Sequence, residues 1–419
     1  MKNLKNILFI VIDCLRADYI YEANKSHIPN INEIKKNGFS FLNTIATTST
    51  TTPSFSSLLT GLYPFESGVR SHSGYALNKN VITYPEILKK NGYHTYAEVT
   101  GPVRQEIGLD KGFDEFNYRN RDKTIHTEWG KFLIKKFESD YKKPWFVLLH
   151  IWALHEPRIV LNQLNYEKYG KTKYARAISS IDKYLGELFN VLRDDTIILL
   201  TGDHGEQISR SRIERKAKNI IEKCVKSLKK YNIFKIPYSK IIRPIHVGHG
   251  YSIYDVLVKV PLIFYNKEII PNNKSNVQIR HIDIFPTILD LVNIKTDNEV
   301  TGKTVMPIIE GKEFSHRDAY LEAVGINIPK KEDWLVGLRV ANKYKYIMSP
   351  FKKNFKEELY LLEKDPFEKR NVAPNYPQLI EKFKKKIEKL KFKEFVGERL
   401  KKEEQDKIID RLRALGYVD

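Results

Sequence analysis

Asn6–Asp13 reads NILFIVID: six consecutive apolar residues, Ile7 to Ile12, closed by a carboxylate. A membrane span needs about 20 apolar residues and a signal-peptide core about 7 to 15, so the run is too short for either. It has the length and β-branched content of a strand buried on both faces. The same reading applies to Thr95–Val99, Trp145–Ile151, Thr196–Thr201 and Pro261–Tyr265, each an apolar run bounded by polar residues, Gly or Pro. Helical patterns fall between or after these runs, at Tyr84–Asn91, Tyr174–Leu192 and Ile284–Val292. Such alternation predicts an α/β fold, a doubly wound and mostly parallel sheet with helices on both faces. Ligands of such sheets bind beyond the carboxyl ends of the strands, a rule that selects Asp13, His150 and Asp203.

After about residue 310 the texture changes. Leu335–Val340, Tyr344–Ile347 and Glu358–Leu362 read as short strands, and a Lys-rich amphipathic helix follows from about Pro377 to Lys391. The expected division is a catalytic domain over 1–310 and a small C-terminal α+β subdomain over 311–419, with a small sheet and Lys-rich helices. No internal repeat is visible.

Composition sets outer bounds. The 419 residues are 42% apolar, with 21 Gly and 18 Pro, which excludes wholesale disorder, collagen-like repeats and low complexity. Two cysteines, Cys14 and Cys224, cannot build a disulfide framework or a thiolate zinc site, and this fits a reducing compartment. With no signal peptide or transmembrane segment visible, the expected location is cytoplasmic. The formal charge is +20, and +10 of it lies in the 209–245 insertion, where twelve Lys and Arg face only Glu214 and Glu222. A funnel near the site for an anionic ester such as a glycan or lipid headgroup would use that charge, as would peripheral membrane contact. The plainer explanation is a solvated surface helix. Nucleic-acid binding would rest on charge alone and is not expected.

Three segments carry chemistry. A carboxylate at the end of a buried strand, as at Asp13, is costly unless paired or bound to a cation, although a helix N-cap is the simpler role. Thr47 to Ser54 is a run of hydroxyl residues broken only by Pro53, and Phe55–Gly61 follows. This reads as a short helix whose N-terminus attracts an anion and favours an ionised hydroxyl, or more simply as a capped turn. In Ile197–Gly205, IILLTGDHG, Asp203 and His204 can both reach one divalent cation from a Gly-flanked turn. His150 and His155 in LLHIWALHEPR, and His246 and His249 in HVGHG, supply further imidazoles.

Taken in order, these motifs resemble the sulfatase family of the alkaline phosphatase superfamily. ILFIVIDCLRADYI is similar to the family's opening metal-binding strand and TTPSFSSLLTGLYPFESGVRSH to its nucleophile motif. YPEILKKNGYHTY, LLHIWALHEPR, TGDHGE, HGYSIYDVLVKVPLIFYN, HIDIFPTILDLVNI, GKTVMPIIEG and ELYLLEKDPFEKRNVA resemble later landmarks in sequence order. The resemblance implies an alkaline-phosphatase-like fold and one divalent ion (Mn, Zn, Mg or Ca) held by Asp13, Thr51, Asp203 and His204. It makes Thr51 the nucleophile, two residues before Pro53. It places His155, His249 and His72 at the substrate, with His155 and His249 binding the anionic head or protonating the leaving oxygen.

Three departures matter. Thr51 stands where sulfatases have the Cys or Ser that becomes formylglycine, so no formylglycine is expected. Phe55 replaces the Arg that follows the Pro-Ser pair, and Asp13–Cys14 replaces an Asp pair. These changes look more like the superfamily's phosphodiesterases and phospho-headgroup transferases. The expected activity is a metal-dependent phosphoesterase or phosphotransferase with a Thr nucleophile. The alternatives are a sulfatase acting on a sulfated sugar without formylglycine, and an inactive anion-binding homologue.

Overall fold

Strand β1 (Asn6–Ile12) is buried over its full length. Its side chains alternate, Ile7, Phe9 and Val11 entering one apolar core and Leu8, Ile10 and Ile12 the other. That period of two is what a strand covered on both faces must show. The computed structural model describes residues 4–208, 249–312, 314–325, 331, 334–390, 392–394 and 396–415.

With β2 (Phe39–Ile45), β3 (Tyr75–Ala76), β4 (His94–Val99), β5 (Glu115–Tyr118), β6 (Trp145–Ile151), β7 (Thr196–Gly202), β8 (Lys259–Tyr265) and β9 (Asn273–Arg280), the main sheet runs β5-β4-β6-β1-β7-β8-β2-β9. One face carries the helices Thr51–Thr60, Tyr84–Lys90 and Ile284–Leu291, and the other carries Pro29–Asn37 and Lys173–Phe189. The sheet is parallel except at β8, which pairs antiparallel with both β7 and β2. The chain enters β8 from the segment that carries His249, at the carboxyl edge of β1 and β7, and must therefore run away from that edge.

The predicted strands are all present, within two residues at their ends. Six were not foreseen, four of them among β1–β9 and the others at Ala319–Ala323 and Glu398–Arg399. β2 is interrupted by Ser40 and Asn43, while β5, β9 and the two-residue β3 are short, polar or partly exposed, so none shows an apolar run.

A second, antiparallel sheet follows the order β10-β11-β12-β13, built from β10 (Ala319–Ala323), β11 (Leu335–Val340), β12 (Tyr344–Met348) and β13 (Glu358–Leu361). Helices Pro377–Glu388 and Lys402–Ala414 complete this part, and β14 (Glu398–Arg399) pairs with β3. The small sheet grips the loops of the large one. Thr48 bridges Glu322, and the Glu322 carboxylate holds Arg70 in a buried ion pair at 2.7 Å. Among the described residues no helix is long and apolar enough to cross a membrane.

Candidate metal and ester site

Parallel register brings the two acidic strand ends together. Ile12 pairs with Gly202, so the residues that follow, Asp13 and Asp203, lie side by side, both fully buried. Asp13 caps no helix; its N–H donates to Ile151 O at 2.9 Å. Asp203 Oδ1 accepts the N–H groups of Cys14 at 3.0 Å and His204 at 2.7 Å.

The hydroxyl-rich run forms a ten-residue helix, Thr51–Thr60, that begins two residues before Pro53 and is ended by left-handed Gly61, as the sequence reading had it. Pro53 is tolerated because it lies in the first turn, where N–H groups have no helical partner. Thr51 is therefore the first helical residue. Its hydroxyl donates to Asp13 Oδ2 at 3.1 Å and lies 3.2 Å from His204 Nε2. Thr52 joins His72 Nδ1 at 2.6 Å, and Ser54 donates to Asp203 O at 2.6 Å.

Four of the expected residues, Asp13, Thr51, Asp203 and His204, thus converge. The chemistry of the donor set fits a divalent cation. Asp13 Oδ1 and Asp203 Oδ2 are buried without a hydrogen-bond partner among the described residues, and two adjacent carboxylates repel unless a cation separates them. Burial raises the Asp13 carboxyl, yet His150, His155 and His204 outweigh it and hold Asp13 well below the carboxylate range. Burial and the charge of Asp13 push Asp203 well above that range. Burial, with His249 adding, lowers His204 to about 4, which leaves a neutral imidazole free to ligate.

His249 Nδ1 is 3.2 Å from Glu206 Oε2. Burial alone would depress His249, but the Glu206 carboxylate raises it above its ordinary value, while Glu206 falls to about 2. The His249 ring stands 4.5 Å from the His204 ring and 5.5 Å from that of His155. His155 is half-buried and stacks on Trp152 at 4.2 Å. His72 is buried behind Thr52, and burial holds it well below its ordinary value. His246 and the basic 209–245 insertion lie outside the described residues.

Sequence reasoning left several contributors unassigned. His150 Nε2 is 3.8 Å from Asp13 Oδ2, and Phe55 packs edge-on against its ring at 4.8 Å. Glu206 was visible in TGDHGE, but its partner His249 is 43 residues away. Ser49 joins the nucleophile segment to the His249 segment: its hydroxyl donates to Ser252 O at 2.6 Å and accepts the Gly250 N–H at 3.2 Å. From the small sheet, Lys345 donates to Ile253 O at 2.8 Å.

An α/β sheet with carboxylates, imidazole and a hydroxyl at its carboxyl edge is the frame of a metal-dependent ester hydrolase. The sulfatase family model matches residues 5–294, and the chain belongs to that family. A model of the C-terminal part of N-sulphoglucosamine sulphohydrolase matches residues 250–393. An ulvan-active sulfatase of Formosa agariphila is 24% identical over 90% of this chain and 78% of its own length. The N-acetylgalactosamine-6-O-sulfatase of Bacteroides thetaiotaomicron is 22% identical, covering 92% of this chain and 93% of its own. Among solved structures, the phosphonate monoester hydrolase of Agrobacterium radiobacter superposes with a TM-score of 0.69 at 18% identity, covering 92% of this chain and 95% of its own. Ps i-CgsB in complex with k-i-k-neocarrahexaose gives 0.70 at 16% identity, covering 98% and 97%. These two likenesses show the fold.

Proposed function

We propose that the chain cleaves a phosphoester, either a phosphodiester or a phospho-headgroup ester, through a covalent intermediate on Thr51. The observation that carries this reading is the Thr51 hydroxyl at the start of a helix, 3.1 Å from Asp13 and 3.2 Å from His204. Thr cannot become formylglycine, so chemistry at this position falls to the hydroxyl itself.

Asp13, Thr51, Asp203 and His204 would hold one divalent ion, which lowers the pKa of a neighbouring hydroxyl and polarises the ester when bound. Thr51 Oγ gives up its proton to solvent and forms a bond to phosphorus as the bond to the leaving oxygen breaks. His155 or His249 gives a proton to the leaving alcohol. The helix N-terminus offers its N–H groups to the anionic head. Water or an acceptor alcohol then attacks phosphorus and passes its proton to the histidine left deprotonated, the P–Oγ bond breaks, and Thr51 Oγ takes a proton from solvent.

A sulfuric ester is the second reading, favoured by the relatives named as sulfatases. Aryl phosphodiester, phosphomonoester, phosphonate and sulfate substrates, each assayed with Mn²⁺, Zn²⁺, Mg²⁺ and Ca²⁺, separate the two. Preference for the sulfate ester, or turnover that survives Thr51→Ala, would overturn the phosphoester reading.

A further inference from the structure

Beside the Asp13/Thr51/Asp203/His204 set lies a second group of ligand atoms with a different chemical character. Cys14 Sγ is 3.7 Å from Glu206 Oε2 and 3.9 Å from His249 Nδ1, and those two atoms are 3.2 Å apart. Cys14, His204 and His249 each offer an atom within 4.8 Å of the others. All four residues are buried.

The spacing is that of a coordination polyhedron. Tetrahedral zinc with bonds of about 2.3 Å to sulfur and about 2.0–2.1 Å to nitrogen and oxygen has S···N and S···O edges of about 3.6 Å and N···O edges of about 3.4 Å. The three observed edges lie within about 0.3 Å of these values. Without a metal the same edges are hydrogen-bond contacts, the Cys14 thiol donating to Glu206 and Glu206 pairing with His249. What hydrogen bonding leaves over is Glu206 Oε1, buried with no hydrogen-bond partner among the described residues and free to meet a cation.

The backbone supports the same arrangement. Cys14 adopts φ 60, a left-handed conformation uncommon outside glycine. It is fixed there by three hydrogen bonds: Cys14 N to Asp203, the Tyr174 hydroxyl to Cys14 O at 2.5 Å, and Arg16 N to that same hydroxyl at 3.0 Å.

We propose that Cys14, Glu206 and His249 form a second cation site, bordered by His204, that takes Zn²⁺ or another thiolate-binding divalent metal. Thiolate and imidazole select such ions over Ca²⁺ and Mg²⁺, which prefer all-oxygen shells. Its role rests on the ester-cleaving reading: a cation there faces the anionic head of the substrate, and His249 becomes a ligand, leaving His155 as proton donor. The binding itself stands independently of that reading.

The test uses full-length protein in a Cys224→Ser background, where Cys14 is the one remaining thiol. After chelation, Co²⁺ is titrated in and followed by optical spectroscopy, with bound metal counted by elemental analysis. The expected result is two equivalents per chain and a near-ultraviolet thiolate-to-cobalt charge-transfer band. Cys14→Ser should lose the band and one equivalent, whereas Asp203→Asn should lose one equivalent and keep the band. Far-ultraviolet circular dichroism checks that each variant is folded. One equivalent and no band in the parent protein, or a band unchanged in Cys14→Ser, overturns the proposal. Failure here leaves Thr51-dependent turnover intact, and failure of the ester reading leaves the cobalt spectrum intact.

Discussion

Glu368→Gln should make the protein more stable at pH 8 than at pH 5 relative to the parent. Glu368 is buried with φ 51, accepts the Asp255 N–H at 2.5 Å, and lies 3.4 Å from Lys345 Nζ. Lys345 in turn gives its shorter contact, 2.7 Å, to Asp255, which Arg339 also holds at 2.9 Å. Burial therefore pushes the Glu368 carboxyl up from 4.5 to about 7, against the pull of Lys345 and with the charge of Asp255 adding. A raised carboxyl keeps its proton in the folded state while the unfolded chain has released it. Its contribution is thus fully present below pH 4.5 and is lost as pH rises to about 7. At about 1.4 kcal/mol per pH unit, that window is worth about 3 kcal/mol, most of it between pH 5 and pH 8. Gln keeps an acceptor for the Asp255 N–H and removes the titration. Urea unfolding followed by circular dichroism at pH 5, 6, 7 and 8 gives the difference in unfolding free energy between variant and parent. Titration of the site histidines is common to both proteins and cancels. The difference should rise by about 2–3 kcal/mol across the series. A difference constant to within about 1 kcal/mol would refute the argument that Glu368 holds its proton in the fold.

Three other outcomes are expected. Glu322→Gln strips a buried partner from Arg70, whose Nε and Nη2 contact it at 3.0 and 2.7 Å, and should cost about 3 kcal/mol in the same urea experiment. Gly61→Ala puts a Cβ 3.2 Å from the side chains of Phe285 and Val300 at φ +67, and should lower stability by about 1–2 kcal/mol; a neutral result would deny that the left-handed cap is required. Chelation of divalent metal should abolish ester turnover and lower the thermal midpoint, and readdition at about 100 times the dissociation constant should restore about 3 kcal/mol of stability.

Much of the frame was legible because burial leaves a plain mark. β1, β6 and β7 carry apolar residues on both faces, so their limits and the positions of Asp13 and Asp203 beyond them follow from hydropathy. β2 and β9 escaped notice because Ser40, Asn43 and the polar start of β9 break the pattern, their places being fixed by strand pairing. In the site, residue types marked only the hydroxyl-rich run Thr47–Ser54, and it was the resemblance, through Pro53, that pointed to Thr51. What hydropathy could not convey was connection at a distance: Ser49 with Gly250, Lys345 with Ile253, and Glu206 with His249 are joined only by folding. Phe55 shows the same limit, since its missing guanidinium was evident but its packing on His150 was not.

Ser49 and Lys345 fix the chain just after His249 to the nucleophile segment and to the small sheet, while Glu206 stays with the strand that delivers Asp203. The two ends of the intervening stretch are therefore anchored independently of its length. A change in the length or charge of that stretch meets these anchors before it reaches the reacting groups, which makes it the natural place to graft a recognition module onto one catalytic frame.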